Sequence, residues 1–541
     1  MTISSRLAAL HDRMGRERSI LLASLILSLA ATAPLLTTEI LPLGDLVFHM
    51  ARMKVLASLD APYFRDWFQA SWAFIPNLAL DLAVPPLAAL IGVAAATKVF
   101  VAATLVLMLT GALALHHSLY RKLSWFPLCT CLFLYNFVLF WGFVNYLFGI
   151  GLLLWALACW FWCKKSVLAL RVLVGAVFAF ALYTAHLCAL GLFGVIVVAS
   201  ELSDLIDCKT LRKKEFIWAL AASTLPFILP FIALLKSSLA VTAVGSPGYG
   251  IHYGLTWKAL AWPTLLVTRN PPVDFTMTAG VAAIALLLLF RRAIGIARPV
   301  QLPILAMIAV IVLLPSTIAG TGFVAERFPV AAVFIVISAC RIRSPLSPPL
   351  RAGLAMGVAF LFTLRIVATF VDFSVAGRET ADITAQFAKL TPGAVLFEAS
   401  VEPKPLLWPW QSRDNWQPLW RRQNQIQLGQ LTTTALLYQP VLVPELLLID
   451  GQQPARFVPP FRELKSLQDS SGDNPRWLAD QAALVSWLDE IRAKLKTFPH
   501  RFPAVYVTLL GPTDLYAPPD GVVQLFSDHR YRIWDVSAFA R

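Results

Sequence analysis

Charge is what this sequence has least of. Asp, Glu, Lys and Arg make up 14% of its 541 residues, against about a quarter in an ordinary soluble chain. That shortage excludes a single soluble body of this length. Cysteine is scarce as well. The seven are Cys129, Cys131, Cys159, Cys163, Cys188, Cys208 and Cys340, all in or beside apolar runs, and none follows residue 340. The polar C-terminal part therefore needs no disulfide, even in an oxidising compartment. No CxxC pair or His-rich tract offers a structural zinc site. There is no GxSxG, P-loop, HExxH, or GxGxxG beside a strand, so the common signatures of hydrolases, nucleotide-binding proteins and metalloproteases are missing.

What is present is apolar length. Hydrophobic residues make up 58% of the chain. Runs near or beyond the ~18–20 residues that cross a hydrocarbon core recur along it. They fall at 19–38, 98–119, 123–141, 145–163, 167–184, 187–205, 216–235, 276–296, 301–319, 326–341 and 350–372, about eleven spans in all. No small-residue cleavage site follows the first run, so it is expected to stay as a span. Basic clusters mark every second loop: Arg121 and Lys122, Lys164 and Lys165, Arg212 to Lys214, Arg291 and Arg292, Arg341 and Arg343. The positive-inside rule makes that side the cytoplasm. The N-terminus is then cytoplasmic and residues 373–541 lie outside, as in a multi-pass protein of a bacterial inner membrane. The net charge of +14 has the same origin. Residues 373–541 hold 17 basic and 17 acidic residues, so the whole excess lies in 1–372. It reports topology, and no nucleic-acid partner is expected.

The expected fold is mostly α: a polytopic transmembrane bundle, 1–372, carrying an extracytoplasmic α/β domain, 373–541. Strand-like runs ("GAVLFEAS", "AVYVTLLG", "YRIWDVSA") alternate there with a helical pattern ("ADQAALVSWLDEIRAKLKTF"). The loop 39–97 reads as one or two helices lying along the membrane surface. A second long loop, 236–275, is rich in glycine, proline and aromatics ("GSPGYGIHYG").

The chemistry concentrates in "LPLGDLVFHMARM", residues 41–53. On a helix, Asp45, His49 and Arg52 share a face, because spacings of four and three stack side chains. At a membrane edge a carboxylate can act as a general base and an arginine fork can hold a phosphate. The same spacing also fits the solvated face of a surface helix.

"TTEILPLGDLVFHMARM" resembles the first outside loop of the GT-C superfamily, polytopic glycosyltransferases that use polyprenyl-phosphate-linked sugars. "FWGFVNYLFGIGLLLW" (140–155), "YTAHLCALGLFGV" (183–195) and "AERFPVAAVF" (325–334) are similar to further segments of such enzymes. The resemblance implies that Asp45 is the catalytic base. It implies that His49, Arg52, His186, Arg327 and Arg365 serve the donor phosphate. The implied partners are membrane lipid, a polyprenyl-phosphate sugar donor, and a cell-envelope glycan or lipid as acceptor. No cofactor is called for. Glu39 stands six residues before Asp45 rather than beside it, so a divalent metal is not supported.

Asp66 and Asp81 are candidates for a second carboxylate, although a solvated loop charge fits each as well. Glu326 and Arg327 can pair with one another, or Arg327 can bind phosphate. Arg365 lies within the last apolar run, where a charge faces a cavity or a partner; Asp372, on the same face, is the candidate partner. Trp408, Trp410, Trp416 and Trp420 suit sugar stacking, membrane-interface anchoring or an ordinary core. The rival readings are a transporter or flippase, which would carry polar residues in mid-span and repeat symmetry, and a scaffold of polysaccharide assembly.

Overall fold

The computed structural model describes residues 3–207, 213–237, 258–259, 261–268, 270–314, 324–343, 346–401, 431–449, 452–468, 476–511, 516–528 and 530–540. Its main helices are α1 Ile3–Thr32, α2 Leu46–Ala57, α3 Ala79–Ile91, α4 Val93–Tyr120, α5 Val144–Trp162, α6 Leu168–Ala185, α7 Leu187–Asp207, α8 Lys213–Thr224, α9 Ile228–Lys236, α10 Pro271–Phe290, α11 Gln301–Leu313, α12 Val324–Ala339, α13 Pro348–Phe387 and α14 Gln481–Thr497. The strands are β1 Phe68–Ala70, β2 Ile294–Ile296, β3 Cys340–Ile342, β4 Val395–Ser400, β5 Ala455–Phe457, β6 Arg476–Trp477, β7 Val505–Leu510, β8 Val523–Ser527 and β9 Tyr531–Asp535.

Among the described residues, eight helices are long and apolar enough to cross a membrane. They lie within α1, α4, α5, α6, α7, α8 with α9, α10 and α13. The other three expected spans, 123–141, 301–319 and 326–341, coincide with shorter apolar helices at Phe126–Phe140, Arg298–Leu313 and Arg327–Ala339. Pro127 sits at the start of a 3-10 stretch, Phe126–Phe133, that replaces a regular helix there. At 1.5 Å per residue, a helix of that length falls short of a ~30 Å core.

The expected boundary at 372 falls inside a helix. α13 continues 40 residues to Phe387 and leads directly into β4. The C-terminal part is a five-stranded mixed sheet in the order β6-β4-β7-β9-β8. β6 and β7 flank β4 in parallel, and β9 and β8 follow antiparallel. β4 and β7 are buried along almost their whole length, which is why both read as apolar runs rather than alternating ones.

In the loop 39–97, α3 leaves Leu82, Leu90 and Ile91 exposed, whereas α2 is packed inside the protein. α2 buries Leu46, Val47, Phe48, Met50, Ala51, Arg52, Met53 and Val55, so it is wrapped on nearly every side. Its neighbours include α3 and the segment Leu431–Tyr438 of the C-terminal part. The loop also gives that part a strand: β1 pairs antiparallel with β5, with Phe68 opposite Phe457. Their rings lie 5.1 Å apart, and the Val458 amide donates to the Trp67 carbonyl at 2.9 Å. The two expected units are thus stitched together by backbone hydrogen bonds.

Candidate functional site

Asp45 occupies the N-cap position of α2, with φ −55° and ψ −15°, and its side chain makes no capping bond to the helix. Aspartate at such a position ordinarily satisfies a first-turn amide. Here the carboxylate is not spent on the helix end. Its backbone is held instead by the 140–142 turn. The Gly44 amide donates to the Phe140 carbonyl at 3.0 Å and the Asp45 amide to the Trp141 carbonyl at 2.9 Å. Gly142 closes the short helix Phe137–Phe140 at φ +83°. A Cβ there would stand 2.5 Å from the Leu46 amide nitrogen and 2.7 Å from that of Asp45. Only glycine permits both the left-handed backbone and this approach. The "LPLGD" and "FWGF" motifs are therefore two halves of one joint.

The next residues of that turn reach the other candidates. The Phe143 ring lies under Arg327, whose Cζ is 3.9 Å from the ring centre. The Tyr146 hydroxyl donates to the Arg327 carbonyl at 2.9 Å, and its ring meets His186 edge-on at 5.1 Å. His186 lies at the end of α6 in extended backbone. Its Nδ1 accepts from the Cys188 amide at 3.2 Å, and its Nε2 stands 3.4 Å from Arg327 Nη1. Both residues are buried. The three weaker motifs thus meet in one place, beside the joint that holds Asp45.

Two asparagines complete the scaffold, and sequence reasoning missed both. Asn145 Oδ1 accepts from the Leu80 amide at 2.9 Å, and its Nδ2 donates to the Asn77 carbonyl at 2.8 Å. Asn77 Oδ1 in turn accepts from the Leu187 amide at 3.1 Å. Asn77 has φ +68°, a conformation asparagine tolerates better than most residues. Together they tie the start of α3 to α5 and to the α6–α7 junction. The visible signal was a pair of asparagines in otherwise apolar surroundings.

Arg52 requires a correction. It is not an open phosphate fork. Nε donates to Asp81 Oδ1 at 2.7 Å and Nη2 to Asp81 Oδ2 at 3.0 Å. The side chains are 2% and 1% exposed. Asp81, in the first turn of α3, is the counter-ion of Arg52 and not a second carboxylate of the site. Its position suits it, because a helix N-terminus favours negative charge. Only Arg52 Nη1 is left without a hydrogen-bond partner among the described residues. His49, one turn back, is half-buried, and its buried Nδ1 has no such partner. Burial first, and then the nearby Arg52 charge, hold its imidazole well below the ordinary range, so it stays neutral.

Asp66 is on the exposed surface, 3.8 Å from Arg65, and joins none of these groups. Arg365 is also satisfied internally, though not chiefly by the residue expected. Nη1 donates to Asp274 Oδ1 at 2.7 Å and to Thr268 Oγ1, and Nη2 donates to the Leu266 carbonyl at 2.7 Å. Arg365 therefore pins α13 to the start of α10. Glu326, the loop motif "GSPGYGIHYG" and the four tryptophans 408, 410, 416 and 420 lie outside the described residues or side chains. Among the described residues no three His, Cys, Asp or Glu side chains gather as a metal site.

No protein-family model matches this sequence, and no curated protein sequence matches it significantly. Its structure does have solved relatives in shape. ArnT from Cupriavidus metallidurans in the apo state aligns with a TM-score of 0.51 and 12% identity, over 97% of this chain and 99% of that one. The same protein bound to undecaprenyl phosphate aligns with a TM-score of 0.51 and 11% identity over the same shares. At such identities the likeness speaks for the fold alone: the chain is a mostly helical protein that shares the fold of ArnT, with eight described helices long and apolar enough to cross a membrane.

Proposed function

We propose that this chain transfers a sugar from a polyprenyl-phosphate-linked donor to an acceptor hydroxyl outside the cytoplasm, on a cell-envelope glycan or glycolipid. The observation that carries the reading is the joint between Asp45 and residues 140–146. The Asp45 backbone is tied to this turn, whose Phe143 and Tyr146 touch Arg327 and His186, so the four resembling motifs are linked through one segment. The ArnT structure that shares the fold is bound to undecaprenyl phosphate, which supports a polyprenyl lipid as the donor carrier.

In this reading Asp45 takes the proton of the acceptor hydroxyl while its oxygen bonds to the anomeric carbon. The bond from that carbon to the phosphate oxygen breaks, and polyprenyl phosphate departs. Arg327 stabilises the departing phosphate. Stacking on Phe143 and burial limit its motion and its exposure to water, which strengthens charge contacts. Arg52 acts one step removed, holding α2 through Asp81. Arg365 acts as a structural tie, held by Asp274.

The test is release of polyprenyl phosphate by purified protein given polyprenyl-phosphate sugars and acceptor extracts. Asp45→Asn is expected to leave folding intact and cut turnover by roughly 10²–10⁴, the usual contribution of acid–base catalysis. Turnover near wild type would remove Asp45 as the base.

A further inference from the structure

The C-terminal sheet buries a second group of ionisable side chains, far in sequence from Asp45. Glu398 lies in the middle of β4, opposite Thr508 of β7, and is fully buried. Glu445 and Gln468 are also fully buried. Gln468 Nε2 donates to Glu445 Oε2 at 3.3 Å. Thr432 Oγ1 stands 3.1 Å from Thr508 Oγ1 and hydrogen-bonds the Tyr531 hydroxyl. The two carboxyl groups lie within hydrogen-bonding reach of each other.

Both oxygens of Glu398, Oε1 of Glu445 and Oε1 of Gln468 receive no hydrogen bond among the described residues. Four buried acceptors without a donor are costly. Lys465 is the cation nearby, and its Nζ also reaches the Leu446 carbonyl at 3.5 Å and the face of the Phe457 ring. Burial, with the repulsion of Glu445, holds Glu398 well above the usual carboxylate range. Burial likewise pushes Glu445 up to about 8. The unpartnered atoms of this buried group are all hard oxygens.

We propose that Glu398, Glu445 and Gln468, with Thr432 beside them, form a binding site for a divalent cation of the calcium class. Two carboxylates, one amide oxygen and one hydroxyl supply about six oxygens, within the range calcium takes. No nitrogen or sulfur ligand favours zinc. The bound ion ties β4 to the segment Leu431–Tyr438, the same segment that packs against α2. The site is independent of the sugar-transfer reading.

The experiment is calorimetric titration of calcium into the full-length, chelator-dialysed protein in detergent, with thermal unfolding in parallel. One calcium per chain, a midpoint that rises with calcium, and proton release on binding are expected. Glu398→Gln/Glu445→Gln keeps the shape of the protonated pair and so keeps the fold; its calcium affinity should fall at least about tenfold, since ligand charge tunes such sites. Gln468→Glu adds a third carboxylate and should tighten binding. No binding by wild type at millimolar calcium overturns the proposal and leaves the two carboxyls sharing a proton. Undiminished binding by the double variant overturns it too, because the ion then lies elsewhere.

Discussion

The Arg52–Asp81 pair and the Glu398–Glu445 pair both lie almost wholly out of water, yet one joins a cation to an anion and the other joins two acids. In the first, two parallel hydrogen bonds satisfy both partners and leave one N–H over. In the second, oxygens meet oxygens. Equal burial therefore has opposite consequences. The first pair is complete in the chain and does structural duty between α2 and α3. The second can share a proton between its carboxyls or, as proposed above, take up a cation. Buried charge by itself does not mark a functional site; the sign and satisfaction of its partners decide.

Removing one half of the complete pair should have the largest effect. Asp81→Asn leaves the Arg52 charge buried and is expected to cost about 3–5 kcal/mol of stability. Replacing both, as Arg52→Met with Asp81→Leu, should recover most of that. Thermal unfolding in one detergent measures both variants, and a single-variant loss below about 1 kcal/mol would mean that water reaches the pair.

Next in size is the joint beneath Asp45. Gly142→Ala forces a side chain into a left-handed backbone and against two amide nitrogens. About 1–3 kcal/mol is expected from the strain alone, together with loss of turnover as Asp45 shifts. Normal turnover in this variant would detach the 140–142 turn from catalysis.

A comparison of two lysine substitutions separates structure from binding. Arg327→Lys should weaken polyprenyl-phosphate affinity by about 1–3 kcal/mol, the range for hydrogen bonds to a charged group. Arg52→Lys should lower stability and leave that affinity nearly unchanged, because its fork is already taken by Asp81. Lipid-phosphate binding measured for both in the same detergent checks this. The reverse result would restore Arg52 as the clamp.

The smallest effect expected is on pH dependence. Burial pushes the folded Glu445 carboxyl up to about 8, above its unfolded value. The folded protein therefore holds a proton the unfolded chain releases. Its stabilising effect is complete at acid pH and is lost as pH climbs through about 8. Without calcium, the thermal midpoint should fall modestly between pH 5 and 9. Glu398→Gln/Glu445→Gln should flatten that slope, and an equal slope in both proteins would place the titration elsewhere.

Much of the candidate site was legible, but unevenly. The spacing of Asp45, His49 and Arg52 suggested one short helix, because i, i+4 and i+7 repeat with the helical turn; the helix holds His49 and Arg52 and begins just after Asp45, its N-cap residue. It could not distinguish a solvated face from a wrapped one, since α2 carries its polar groups into a protein interior rather than into water. The 140–155, 183–195 and 325–334 segments were each weak alone. Their meaning came from contact with one another.

The sequence by itself determined the membrane character, most of the spanning helices, the strand-and-helix nature of the C-terminal part, and which residues could do chemistry. These depend on local apolar length, periodicity and residue type, all readable within a few turns of chain. Only the tertiary structure decided that Arg52 faces Asp81, that Arg365 faces Asp274, that β1 pairs with β5, and that Glu398 faces Glu445. Those partners lie between 29 and 389 residues apart in the chain. A side chain's partner is set by what packing brings against it, and no local pattern of the sequence encodes a contact at that distance.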